Sequence, residues 1–269
     1  MINILALETT GKYGSAAVIG EDGRVFCASS ETEMNHLKDI ITISEEALRM
    51  AGINKRDLTH VAASVGPGSF TGIRIGVTTA RTLGQMLGIP CVSVSSLYAM
   101  ALRVLDKAVS DGALYIAPVI NARRHQTYAG VWEAVFTADC EQKTVVPVME
   151  EKQYMIEELL SEVTARSASD GGCVLFTGDG IDAYEDIIRD AFSEKGIPDK
   201  LILTGADLRY QDAETVASAA MVSVLSGKVT GYNEMMPVYM RLSEAEQRLK
   251  EGTLSEKIRK AGQLGAHSR

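Results

Sequence analysis

Hydrophobic and polar positions along this chain follow two periods, and each change of period marks an element. NILALETT (residues 3–10) is continuously apolar up to Glu8, Thr9 and Thr10, the pattern of a short buried strand. YGSAAVIG reads as a second strand. Asp22-Gly23 supplies a hairpin turn, and RVFCASSE returns as a third. From residue 36 the period becomes three and four: Leu37, Ile40, Ile41, Ser44, Ala47, Leu48 and Ala51 predict an amphipathic helix over 36–51, ended by Gly52. HVAASVGP is another buried strand. The stretch VGPGSFTGIRIG turns it into a helix expected over 71–87, closed by Gly88 and Pro90. CVSVSS gives a further strand, with Ser95 or Ser96 placed to cap a helix running to 104.

From Leu114 the order is told again. The pattern predicts two strands around a turn at 122–125, a strand in KTVVPVM, a helix over 153–166, and a buried strand in CVLFTGDG. Helices follow over 184–195 and 213–225, the second with Asp212 as its N-cap. Three strands, helix, strand, helix, given twice, imply an α/β protein of two duplicated βββαβα domains with mixed sheets. The expected division is 1–108, 109–245, and a polar tail over 246–269, helical to about 250.

Composition narrows the function classes. The chain has 269 residues and a formal net charge of -8. That balance argues against a stand-alone nucleic-acid binder, though not against a subunit of a complex that handles RNA. Cys27, Cys91, Cys140 and Cys173 form no CxxC pair and read as reduced core cysteines. The first residues lack the basic start of a signal peptide, and no apolar run reaches the length of a membrane span, so a cytoplasmic protein is expected.

The glycine-rich stretch resembles a phosphate loop but matches none. GxxxxGK[ST] fails because no lysine follows, GxGxxG because Thr71 stands at the third glycine, and GxSxG because Ser69 is preceded directly by Gly68. Two readings stay open: a helix N-terminus that holds an anion, or a tight strand-to-helix corner. In the helix after it, Ile73, Ile75, Val77, Ala80, Leu83, Met86 and Leu87 lie on most faces, with Arg74 and Arg81 among the few polar positions. Such a helix is deeply buried or covered by a partner. Together with the helix from residue 36, it would offer half of a four-helix interface.

Read together, the segments ALETT, HVAASVGPGSFTGIRIGVTTARTLGQMLGIPCVSVSSLYAMA, INARRHQTYAGVW, FTGDGIDAY and MPVYMR resemble the TsaB (YeaZ) family of tRNA threonylcarbamoyladenosine biosynthesis proteins, in one continuous order over residues 1–245. The resemblance implies an actin/hexokinase/Hsp70-like (ASKHA) fold. It also implies a non-catalytic subunit that binds and activates a TsaD-type transferase, which modifies the adenosine next to the anticodon in tRNAs reading codons that begin with A. A TsaE-type ATPase docks on that pair, tRNA is met indirectly through the complex, and the chain alone pairs with its own copy. The implied partner surface comprises Leu37, Ile40, Ile41, Leu48, Phe70, Ile73, Arg74, Val77 and Arg81. Glu8, Thr9, Thr10, Gly66, Gly68 and Ser69 are the implied nucleotide contacts. The chain itself requires no cofactor, and ATP or ADP would sit at the partner interface.

The residues bear on this independently. The transferase's two metal-binding histidines correspond here to Ser96 and Met100, neither an imidazole replacement, so no metal ligand set is assigned. His36, His60, His125 and His267 are scattered. The rival reading is an ASKHA ATPase or small-molecule kinase using Glu8, Asp179 and Asp182 at strand ends. A peptidase lacks a credible nucleophile.

Overall fold

The short apolar runs pair into two five-stranded sheets, seen in a computed structural model that describes residues 1–30, 36–136 and 143–240, without the side chains of 36–38. In the first sheet β1 (Asn3–Glu8), β2 (Ser15–Gly20), β3 (Val25–Ser29), β4 (His60–Gly66) and β5 (Cys91–Ser95) lie in the order β3-β2-β1-β4-β5. The second sheet contains β6 (Ala113–Arg123), β7 (Gln126–Phe136), β8 (Lys143–Met155), β9 (Cys173–Thr177) and β10 (Leu201–Leu203), in the order β8-β7-β6-β9-β10. Each sheet has two antiparallel pairings on one side of its first strand and two parallel ones on the other. The two halves therefore share one topology, the duplicated βββαβα arrangement with mixed sheets that the pattern implied.

Helices fill both faces of the first sheet. α1 (His36–Ala51) and α2 (Phe70–Leu87) cover one, over a core of Leu5, Leu7, Val18, Val61 and Ala63. The other face, with Ile4, Ala6, Ala17, Ala62 and Val92, is covered by α7 (Ala213–Leu225). The alanines of α7 at 213, 217, 219 and 220 are fully buried, so the helix backbone approaches the sheet closely. In the second half, α5 (Ile156–Asp170) and α6 (Gly180–Glu194) pack over Val119, Val131, Val174 and Phe176. α3 (Ser96–Arg103) and α4 (Leu105–Ser110) reach across to β6, β7 and β8.

The halves thus exchange helices: α3 and α4, which come after β5, pack on the second sheet, and α7, which comes after β10, packs on the first. Met1–Val238 form one unit, and the stretch from Asp212 to Val238 returns to the first sheet, where Met235 is buried in its core. Residues 239–269 group separately, and only 239–240 of them are described, so the expected tail, His267 and the helix ending near 250 lie outside the described residues. Cys140 lies outside them too. β8 runs on to Met155, so α5 begins at Ile156, three residues later than the periodicity suggests. Among the described residues, no helix is long and apolar enough to cross a membrane.

Candidate functional site

The end of β1 meets the start of α2, and there the two readings of the glycine stretch separate. Glu8 is fully buried. Its Oε1 accepts from the Thr10 N–H and from the Thr10 hydroxyl at 2.6 Å, and its Oε2 accepts from the Ser64 hydroxyl. Burial pushes the carboxyl above its usual range, and the hydrogen bonds from Ser64 and Thr10 oppose that only in part. Thr10 Oγ1 also lies 3.1 Å from Ser96 Oγ. Both oxygens of Glu8, an implied nucleotide contact and the first acid of the rival reading, thus accept hydrogen bonds from the chain itself.

The glycines serve the same corner. A side chain at Gly68, φ +152°, would place its Cβ 2.6 Å from the Thr10 carbonyl oxygen. One at Gly72 would come within 1.8 Å of the Thr9 carbonyl oxygen. That room is filled by residues 9 and 10, which dock on the loop: the Ser69 N–H donates to the Thr10 carbonyl at 2.8 Å, and Thr9 Oγ1 to the Gly72 carbonyl at 2.7 Å. Ser69 caps α2 by accepting from the Gly72 N–H at 3.3 Å. Gly66 is closely approached by the Val238 carbonyl. Loop and hairpin thus fit each other as a tight strand-to-helix corner. Lys12 stands over the rings of Tyr13 and Tyr210, at 5.4 and 5.7 Å. No local pattern announces that stack, because Tyr210 lies far along the chain from the other two.

The two other acids of the rival reading, Asp179 and Asp182, have partners within the chain. The Asp179 carboxylate accepts from the Asn121 N–H at 2.9 Å, and burial raises its pKa. Asp182 pairs with Arg209. Among the described residues, no group of three His, Cys, Asp or Glu could hold a metal ion.

The expected partner residues divide. Ile40, Ile73 and Val77 point inward, each no more than 2% exposed, and belong to the core beneath α1 and α2; Leu48 packs against the same core. The physical reason is the wide apolar arc of α2. Gly72, Gly76, Ala80 and Gly84 bring it close to the sheet, and the segment around Tyr232 and Met235 covers its flank. The sheet and this segment of the same chain thus cover part of the apolar surface that the resemblance assigned to a partner. The outer face is mostly Thr71, Arg74, Thr78, Thr82 and Gln85. The large apolar side chains of α1 and α2 that stay outside are Ile41, Met50, Phe70 and, at 77% exposed, Met86, with Met236 beside Arg81. The guanidinium of Arg74 lies 3.9 Å from the Phe70 ring centroid. The Leu37 side chain lies outside the described residues.

The backbone of one turn also has no signature in the sequence. The β6–β7 hairpin turns through Arg124 and His125, between the paired residues Arg123 and Gln126. Arg123, Arg124 and His125 have φ of 63°, 55° and 60°. Two-residue hairpin turns with positive φ favour Asn-Gly, and for a residue with a Cβ that conformation costs about 1 kcal/mol or more.

With this geometry in place, comparison with known proteins gives the class. The family model described as "TsaD: tRNA N6-adenosine threonylcarbamoyltransferase" matches residues 29–249. The tRNA threonylcarbamoyladenosine biosynthesis protein TsaB of Bacillus subtilis is 27% identical over 245 residues, covering 91% of this chain and 96% of that protein. TsaB of Escherichia coli is 25% identical over 248 residues, covering 92% and 98%. In fold, the chain is similar to the crystal structure of an uncharacterized Pseudomonas aeruginosa protein with similarity to peptidase YeaZ, at a TM-score of 0.71 and 23% identity, covering 90% of this chain and 100% of that one. The chain belongs to the TsaD family of tRNA threonylcarbamoyladenosine biosynthesis proteins, on its TsaB (YeaZ) branch.

Proposed function

We propose that this chain is the non-catalytic partner of a TsaD-type transferase, binding it through the outer side of α1 and α2 and holding it in its active form. The observation that carries this reading is that both helices keep large apolar side chains exposed: Ile41 and Met50 on α1, Phe70 and Met86 on α2, with Met236 beside Arg81. Large apolar side chains left exposed on neighbouring helices favour a protein contact. The inert corner at Glu8 supports the absence of chemistry in this chain. So do Ser96, whose hydroxyl lies by Thr10, and the buried thioether of Met100, at the positions where the transferase has histidines. Any ATP or ADP would be held at the interface by the partner. The same surface would pair two copies when the transferase is absent, a TsaE-type ATPase would dock on the heteromeric pair, and tRNA would be met within that assembly.

The test is reconstitution. The purified transferase is supplied with threonylcarbamoyl-AMP and unmodified tRNA, with and without this chain. Turnover is expected to rise at least tenfold on adding the chain. Equal turnover in both samples, or turnover by this chain alone, would overturn the reading.

A further inference from the structure

The turn between β6 and β7 carries three consecutive exposed residues, Arg123, Arg124 and His125, all at positive φ. Arg49, Arg103, Arg189 and Arg209 each have a carboxylate partner. Among the described residues the side chains of Arg123 and Arg124 have none. His125 alone is tethered, with Nδ1 3.5 Å from Glu157 Oε1. The Arg123 N–H is fixed by Asn121 Oδ1 at 2.8 Å, and Tyr184 OH donates to the Gln126 carbonyl at 3.1 Å, so the backbone beneath the tip is held in place. The turn could be built more stably from Asn-Gly, yet it presents two unpaired guanidiniums on a rigid hairpin in a chain of net charge -8. A strained backbone retained at such a position points to a use for its side chains.

We propose that Arg123 and Arg124 contact the phosphate backbone of the tRNA when this chain sits in its complex with the transferase. The inference rests on the tRNA-modification reading and adds a direct contact to it. Guanidiniums pair with phosphate oxygens in bidentate geometry, and such contacts position an RNA without reading its sequence. With the rest of the chain acidic, the contact is local. It adds to the transferase's hold on the tRNA and is weak in this chain alone.

The experiment is fluorescence anisotropy of an unmodified transcript of a tRNA reading codons that begin with A. It is titrated with the complex of this chain and the transferase across a range of salt concentrations. For Arg123→Gln/Arg124→Gln, affinity is expected to fall roughly tenfold at low salt, and the slope of log K against log salt to shrink by about 1.5, as two lost phosphate contacts require. A second variant, Arg124→Asn/His125→Gly, keeps the hairpin and relieves its strain. It is expected to melt a few degrees higher while binding tRNA more weakly, opposite signs that a merely structural turn does not give. Unchanged affinity and slope in the double variant, with a wild-type complex that binds tRNA, would overturn this inference alone. Loss of transferase association in place of tRNA affinity would also overturn it, assigning the turn to a protein contact. A wild-type complex that fails to bind the transcript would bring down both this inference and the reading beneath it.

Discussion

Glu8 holds a fully buried carboxyl group, and its protonation is tied to folding. Because burial raises its pKa in the folded chain, the folded state keeps the proton over a range where the unfolded chain has lost it. The stability this contributes is full below the unfolded value near 4.5 and is lost as pH rises through the folded value. Glu8→Gln keeps the shape and removes the charge. It is therefore expected to raise the melting temperature at pH 7–8 by a few degrees, with the gain fading toward pH 4.5, as melting curves across that range would show. A variant less stable than wild type at pH 8 would mean that the carboxylate is held ionised by its hydrogen bonds. The sequence places Glu8 at a strand end but cannot show where its oxygens go. Ser64 is 56 positions away, and the Ser96 that touches Thr10 is 86 from it. No local pattern joins such residues.

Among the elements, α2 shows where periodicity succeeds and where it stops. Its position, its Ser69 cap and its Gly88 terminus with φ 68° follow from local chemistry, and the expected span differs from the observed one by a single residue. Which side of its apolar arc meets the sheet depends on glycines that matter only through the atoms that approach them. Gly72→Ala forces a Cβ into the Thr9 carbonyl, which is backbone and cannot swing away. The expected loss is about 3 kcal/mol or more, read from the urea midpoint at unchanged m-value. A loss below about 1 kcal/mol would mean that α2 does not sit this close to β1. Likewise, α4 and β10 are too short for a periodic signature, and the three-residue β10 is legible only as the neighbour of β9.

In the molecule as a whole, duplication is legible because each half repeats its order of strands and helices. The exchange of helices between halves is not: α7 comes after the second sheet along the chain and covers the first in space. That covering matters for function. With one face of the first sheet sealed by α7 and the other by α1 and α2, the exposed apolar side chains on α1 and α2 are left over from a finished fold and need not serve it. Substituting them should change assembly and spare stability, unlike Ile73 or Val77, whose replacement by a charge would break the core. The decisive experiment is light scattering on a size-exclusion column, with the transferase mixed with wild type or with Ile41→Glu/Met86→Glu. A heteromeric complex is expected for wild type, none for the variant, and equal melting temperatures for the two chains. A variant that assembles as well as wild type, or a wild type that never assembles, would refute the assignment of this surface to the transferase.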